Sequence, residues 1–306
     1  MQPSVGITTG RFAPTPSGPL HFGSLVTAVA SYCHAKSMKG KWLVRIEDLD
    51  TPRVTTGAAD DILLAIEAFG FEWDDDVLYQ SQRFQIYQGY LDELIQLGIV
   101  YGCNCSRKKL LEKPHHTGPL GTIYGGYCRH KHQQLNNIKL RLNTEQAGKI
   151  EFTDQYYGTI NRDIDSEIGD IILKRQDGIY AYHLAVVIDD ALQQVNYIVR
   201  GADLIDATCV HLYLNRLFGF PDAQYLHVPL VKNKYGEKLS KQSGATALSV
   251  ENPEKLLLKA LHILGQNTPA ELSTYKPVEI LQYAITHWDS KKILNHSANS
   301  SVNDTD

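Results

Sequence analysis

No run of the sequence approaches the roughly 20 consecutive apolar residues that cross a bilayer. This excludes a membrane-spanning helix and leaves a soluble cytoplasmic protein as the expectation. The N-terminus, MQPSVGITTG, lacks a basic region followed by an apolar run, so it does not read as a secretory signal. Positive charge is not in excess: 30 Lys and Arg stand against 34 Asp and Glu, a formal net charge of −4. Nucleic-acid binders are usually more basic, because neutralising phosphates supplies much of their affinity. Any RNA contact must therefore use local patches, and Arg107-Lys108-Lys109, Arg129-His130-Lys131-His132 and Lys232 to Lys241 are the candidates, each also readable as a solvated loop. The phosphate-binding pattern GxxxxGK[ST] is absent, so a nucleotide site has to be of another kind. There is no internal repeat, and there are only five cysteines. Two of these, Cys33 and Cys209, stand alone in apolar periodic segments and read as buried thiols.

What is present fits a globular chain. Apolar residues make up 43% and charged residues 21% of 306, ordinary proportions in a chain long enough for one large or two modest domains. Val5 to Thr8 reads as a short buried strand, followed by the turn-rich Gly10 to Gly18. Leu25, Ala28, Val29 and Tyr32 have helical spacing that stops at Gly40. Trp42 to Ile46 reads as a strand, and 58–69 and 84–97 as amphipathic helices. This alternation predicts an α/β fold with a Rossmann-like, doubly wound parallel sheet, its first half spanning 1–102. The pattern breaks near Tyr101, and 103–168, rich in Cys, His, Gly, Lys and Asn, reads as an insertion with short strands such as Ile138 to Leu142. Alternation returns over 169–232, with strands at Ile171 to Lys174, Tyr197 to Arg200 and Tyr225 to Val231, and helices near 181–190 and 207–218. A loop and small helical region follows over 233–293, with Pro253 just inside a helix. The polar tail 294–306 is expected to be disordered.

Two segments carry the chemistry. Arg11-Phe12-Ala13-Pro14-Thr15-Pro16-Ser17-Gly18-Pro19-Leu20-His21-Phe22-Gly23-Ser24 follows the first strand and opens the first helix. Open α/β sheets bind ligands at the carboxyl ends of their strands, and a helix N-terminus offers free N–H groups and partial positive charge to phosphate. Gly23 permits close backbone approach, and His21 can donate to a phosphate oxygen as charge develops. The second segment, Lys238-Leu239-Ser240-Lys241-Gln242, places two lysines in the polar loop after the last strand, suited to a triphosphate tail. Singly, a HxGx tetrapeptide is mostly chance and a KLSK run usually a solvated turn; their order, spacing and placement on opposite ends of a split sheet argue for a nucleotide site.

Cys103, Cys105 and Cys128 cluster in sequence. In a cytosolic chain such a cluster suggests a metal rather than a disulfide. Three thiolates and a fourth donor make a closed tetrahedral zinc site. Donor chemistry alone favours a histidine as the fourth, among His115, His116, His130 and His132; free surface thiols are the alternative.

The first segment resembles the HIGH signature of class I aminoacyl-tRNA synthetases in its glutamyl form, and KLSKQ resembles their KMSKS signature. Arg45-Ile46-Glu47-Asp48-Leu49-Asp50, the run Tyr180 to Asp190, and Val199-Arg200-Gly201-Ala202-Asp203-Leu204 are similar to further blocks of that family. The resemblance covers roughly 5–245. It is nearest to the glutamyl-queuosine tRNA(Asp) synthetases, through HFGSL, RGADL and the CxC…YxxxC cluster. So short a stretch after Lys241 is expected to leave no room for an anticodon-reading domain. The resemblance implies that ATP, with Mg2+, activates L-glutamate to glutamyl-adenylate, and that glutamate passes to the queuosine base of tRNA(Asp). It implies ATP contacts at His21, Gly23, Ser24, Lys238, Ser240 and Lys241, with His21 and Lys241 catalytic. It implies glutamate contacts at Arg11, Ala13, Thr15, Glu47, Tyr182 and Arg200. It implies a structural zinc on Cys103, Cys105, Tyr124 and Cys128, and a stem-contact-like role for the helices after the loop. A monomer is expected.

The glutamate set also makes sense chemically. One ammonium and two carboxylates call for one acid and two cations, arginine being the better carboxylate fork, and Glu47, Arg11 and Arg200 supply them. A structural Arg11–Glu47 ion pair is the alternative. The rival functions are a truncated glutamyl-tRNA synthetase charging a tRNA 3′ end, a catalytically inactive RNA-binding paralogue, and a small-molecule nucleotidyltransferase.

Overall fold

The computed structural model describes residues 6–112, 116–230, 232–233, 248–295 and 301–302. The chain divides into two compact units. One draws on the spans Met1–Tyr79, Val195–Asp203 and Ala223–Asp306, the other on Gln80–Gln194 and Leu204–Asp222. Among the described residues no helix is long and apolar enough to cross a membrane.

The first unit holds the parallel strand pairs. Thr9–Phe12 lies parallel to Lys41–Ile46, from Thr9 opposite Lys41 to Phe12 opposite Val44. The end of Lys41–Ile46 pairs in parallel with Leu78–Tyr79, and Tyr197–Gly201 runs parallel to Gln224–Val228. Apart from the half-buried Leu78–Tyr79, these strands are buried along nearly their whole length, as expected of strands covered on both faces. The expected strand at Val5 to Thr8 is instead Thr9–Phe12; Val5 itself lies outside the described residues. Gly10, read from sequence as the start of a turn, is inside the strand because the first helix passes close by. A Cβ at Gly10 would come within 3.2 Å of the Ala35 Cβ.

That helix, Phe22–Ser37, is buried all round from Ala28 to Ala35 and packs on Thr9–Phe12 and Tyr197–Gly201. Its core partner is an aromatic stack. Trp42 lies face to face with Phe71 at 5.5 Å and Phe12 at 6.1 Å, while Tyr32 meets Trp42 and Phe71 edge-on. The Trp42 indole donates to Ser31 Oγ, and Ser31 Oγ donates to the Arg11 carbonyl, both at 2.9 Å. Every polar atom in this tight contact is thereby satisfied without loosening the packing. The helices Pro253–Ile263 and Pro277–Thr286 pack on the same helix. Each begins with a proline, where a missing N–H costs nothing. Ser301–Val302 pairs with Lys232–Asn233; residues 296–300 and 303–306, where disorder was expected, lie outside the described residues.

The second unit contains the helices Phe84–Gln96, Tyr182–Leu192 and Ile205–Phe218. It also has an antiparallel hairpin, Lys149–Asp154 with Gly158–Asp163, and a three-stranded sheet. In that sheet Lys139–Leu142 is central, flanked antiparallel by Val100–Cys103 and Ile172–Lys174. The strand near Ile171 was expected to continue the parallel sheet, and it does not. A three-residue apolar run has no intrinsic direction, so its distant partner decides the pairing. Asp189, fully buried, accepts from Gln80 Nε2 at 2.8 Å, Arg83 Nε at 2.7 Å and Tyr87 Oη at 2.7 Å. It thereby joins Phe84–Gln96 to Tyr182–Leu192.

Candidate active site

The first signature segment forms a loop between its strand and its helix. Backbone bonds from the segment after Lys41–Ile46 hold that loop: Glu47 N–H donates to the Pro14 carbonyl and Thr55 N–H to that of Pro16, both at 2.9 Å. The loop ends at His21, which caps the helix. Its Nδ1 accepts from Ser24 N–H at 3.2 Å, and its Nε2 lies 3.2 Å from Ser24 Oγ. With Nδ1 accepting, the ring proton sits on Nε2, directed at the Ser24 hydroxyl. Gly23 and Ser24 are therefore in the first turn of a 16-residue helix that has no acidic residue there. This leaves the positive end of the helix dipole uncompensated by carboxylate in that turn. His21 in this state is a cap; as a phosphate donor it would have to release Ser24.

Arg11 and Arg200 are both buried, each only 4% exposed. Arg11 leaves its strand with Nη1 3.5 Å from the Val199 carbonyl, so the guanidinium reaches the adjoining strand that also bears Arg200. Arg200 Nε donates to His227 Nε2 at 3.1 Å, and its guanidinium lies 5.7 Å from the Tyr225 ring centroid. Glu47 sits one residue beyond the end of Lys41–Ile46, with Oε1 3.4 Å from Arg45 Nη2. Ala13 is half-buried and Thr15 exposed in the loop. Tyr182 opens its helix in the second unit, its ring against His183 and His211. Lys238, Ser240 and Lys241 lie outside the described residues. Leu248, just after them, donates its N–H to the Leu20 carbonyl at 2.8 Å, next to the capping His21.

The cysteines converge. The Sγ atoms of Cys103, Cys105 and Cys128 lie within 4.8 Å of one another, all buried. Tyr124 is buried with them, its hydroxyl 3.2 Å from Cys103 Sγ and 3.7 Å from Cys105 Sγ. Burial pushes the Cys128 thiol up, but hydrogen bonds from Tyr124 and Cys105 outweigh it and bring it down to about 7. Burial raises Cys105. Burial, then the bond to Cys103, raises the Tyr124 phenol. Of the histidines considered as a fourth donor, His115 lies outside the described residues, while His116, His130 and His132 are exposed. Among the described residues no histidine joins the thiol cluster. The Arg141 guanidinium covers the Tyr124 ring at 3.9 Å. Asp170 binds Arg129 at 2.8 Å through both oxygens, and takes Thr144 N–H and Oγ1 at 2.9 Å. The RNA-contact candidate Arg129 is thus committed to Asp170 and Asp165, whereas Lys108 and Lys109 are exposed on a short helix.

The family described as tRNA synthetases class I (E and Q), catalytic domain, matches residues 7–298. A glutamyl-Q tRNA(Asp) synthetase of Dechloromonas aromatica is 47% identical over 283 residues, covering 91% of this chain and 93% of that protein. One of Pseudomonas aeruginosa is 45% identical over 284 residues, covering 93% and 94%. The chain belongs to the glutamyl-Q tRNA(Asp) synthetase family. A crystal structure of glutamate-tRNA synthetase from Elizabethkingia anophelis superposes with a TM-score of 0.77 at 23% identity, covering 97% of this chain and 68% of that one. As a member of the glutamyl-Q tRNA(Asp) synthetase family the chain is a ligase-type enzyme, and its mixed α/β architecture is the class I synthetase catalytic fold. Two features of this glutamyl-Q tRNA(Asp) synthetase family member escaped the sequence reading: His227 behind Arg200, and the role of Asp189, within the run Tyr180 to Asp190, as a buried hub. Both are defined by partners from distant segments.

Proposed function

We propose that the chain activates L-glutamate with ATP and transfers it to the queuosine base at the wobble position of tRNA(Asp). A glutamate carboxylate oxygen bonds to the α-phosphorus of ATP, the α–β phosphoanhydride bond breaks, and pyrophosphate leaves. A hydroxyl of the queuosine cyclopentene ring then bonds to the activated carbonyl; AMP leaves and the hydroxyl proton passes to solvent. The carboxylate is already nucleophilic, so no side-chain base is needed in the first step. Rate comes from positioning and charge stabilisation by His21, the helix terminus and, in this reading, Lys241 with Mg2+. Gly23, Ser24, Lys238 and Ser240 complete the nucleotide contacts of the proposal. Ala13, Thr15 and Tyr182 stay in the glutamate set on the family resemblance.

The observation that carries the glutamate assignment is two buried arginines, Arg11 and Arg200, in one unit with the carboxylate of Glu47. Two cations and one acid in one unit match the two carboxylates and the ammonium of glutamate. Cys103, Cys105, Tyr124 and Cys128 fit one structural zinc ion: three soft thiolate donors and an oxygen donor in a dry cluster, with no open position for substrate. Queuosine as acceptor is supported by the names of the relatives, which cover nearly the whole chain. A cytoplasmic monomer remains part of this reading.

The test has two arms. Purified protein should exchange pyrophosphate with ATP in the presence of glutamate and absence of tRNA. Labelled glutamate should reach tRNA(Asp) bearing queuosine and not the same tRNA lacking only that base. Equal charging of the two tRNAs would make the enzyme a 3′-end charger instead; no exchange at millimolar glutamate and ATP would end the activation reading.

A further inference from the structure

Asp170 gathers the stretches of chain that carry the thiol cluster. Its side chain is fully buried. The carboxylate accepts from Arg129 Nε and Nη2 at 2.8 Å, from Thr144 N–H and Oγ1 at 2.9 Å, and from the Tyr101 hydroxyl. Two of these partners stand beside sulfur donors. Arg129 directly follows Cys128. Tyr101 precedes Cys103 by two on the strand Val100–Cys103, so both side chains leave the same face of it.

The main chain of Asp170 reaches the phenol. Its N–H donates to the Tyr124 carbonyl at 3.3 Å, and its own carbonyl accepts from Arg141 Nη1 at 2.6 Å. The Arg141 guanidinium in turn lies on the Tyr124 ring at 3.9 Å. Gly169 permits this approach. Its φ is 76°, and a Cβ there would meet the Tyr124 carbonyl oxygen at 2.8 Å. All these residues belong to the second unit.

A four-coordinate zinc site binds tightly only where its donors sit near the corners of one tetrahedron, with sulfurs about 2.3 Å from the ion. The donors here come from two stretches, Cys103 to Cys105 and Tyr124 to Cys128, and Asp170 is tied to both. A carboxylate this buried keeps its charge only with its donors in place. The bonds that stabilise it therefore also set one stretch against the other.

We propose that Asp170 is the positioning residue of the zinc site: its carboxylate places Cys103 and Cys128 through Tyr101 and Arg129, and its main chain places the Tyr124 phenol directly and through Arg141. This rests on the zinc reading above and adds to it a residue that is not itself a ligand.

The test is zinc affinity of the full chain, measured by competition with a chromophoric chelator. Asp170→Asn keeps the main-chain contacts, loses the charge and turns a donor toward Arg129. It should weaken zinc about tenfold or more. Arg129→Met should weaken it comparably, and the double variant little more than Asp170→Asn alone, since both changes cut one linkage. Thr144→Val removes a hydrogen bond to the same carboxylate from a residue beside no donor. It should lower the melting temperature and leave zinc affinity within about twofold of wild type. Cobalt(II) in the site reads the geometry: its visible absorption should weaken in Asp170→Asn, as the donors leave tetrahedral positions, and stay unchanged in Thr144→Val. Should Asp170→Asn not fold, Arg129→Lys, which keeps the charge and loses the two-pronged fork, carries the same expectation. Zinc held as tightly as in wild type by whichever of these two variants folds, or an equal loss in Thr144→Val, would overturn the inference and leave Asp170 a structural ion pair. Wild-type protein that takes up no zinc would instead remove the zinc reading itself.

Discussion

The indole of Trp288 donates from Nε1 to Nδ1 of His34 at 3.3 Å, joining residues 254 positions apart. His34 is buried and stacked on Tyr197 at 3.9 Å. The bond requires the imidazole to be neutral, and burial lowers its pKa from 6.5 to about 4. The unfolded chain therefore binds a proton more readily than the folded one. Stability from this site is complete above pH 6.5 and is lost progressively as the pH falls toward about 4. Urea unfolding at pH 7.5 and pH 5 should show the decline, and His34→Phe should be less stable at pH 7.5 yet flatter between the two.

His21 has two roles that can be separated. As a cap it satisfies Ser24 N–H; as a phosphate donor it belongs to the proposed mechanism. His21→Ala should cost roughly 1 kcal/mol in stability through the lost cap, together with pyrophosphate exchange. His21→Asn, a good cap with no imidazole, should keep the melting temperature and still lose exchange at least tenfold or so. Retained exchange in the Asn variant would reduce His21 to a cap.

The thiol cluster should bring one zinc per chain through purification. Cys103→Ser and Cys128→Ser should lose it, and the loss should loosen the second unit more than the first, because a closed site contributes its folding energy locally. Elemental analysis of protein prepared without chelator reads the stoichiometry. Tyr124→Phe should weaken retention against a chelator; equal retention would remove the phenol from the ligand set.

Asp189 carries three donors into a fully dry site. Removing a buried charge's partner usually costs about 3–5 kcal/mol. Asp189→Ala, which strands the Arg83 guanidinium and two neutral donors, should approach that range in chemical unfolding, with Asp189→Asn intermediate. A loss below about 1 kcal/mol would mean that water replaces the carboxylate.

Much of the fold was legible from periodicity. The helices Phe22–Ser37, Ala58–Ala68, Phe84–Gln96 and Ile205–Phe218 fall close to where apolar spacing put them; in Ala58–Ala68 and Phe84–Gln96 the buried residues repeat every turn within the helix itself. Short strands were less legible. Thr9–Phe12 hid in a turn-like composition, since the glycine in it serves a helix contact that only tertiary packing reveals. Ile172–Lys174 had its direction set by Lys139–Leu142, thirty or so residues earlier. The cysteine cluster was readable because thiols are rare and their spacing is local. Donor chemistry favoured a histidine beside the thiols and the family resemblance Tyr124; in the folded chain the Tyr124 hydroxyl lies 3.2 Å from Cys103 Sγ. His227 could not be found from sequence, because a lone histidine on a buried strand has no periodic signature.

The close approach at Gly10 makes the first helix a spacer held at both ends. One end is clamped near Ala35 and Ser31 by the glycine surface and by the Trp42–Ser31–Arg11 hydrogen-bond chain. The other, carrying Gly23 and Ser24 about 18 Å away at 1.5 Å per residue, follows a loop tied down at Pro14, Pro16 and Leu20. A methyl group at position 10, meeting the Ala35 Cβ at 3.2 Å, would press on one end while those ties hold the other. Gly10→Ala should therefore register first as lost stability, with the nucleotide end of the helix kept in place.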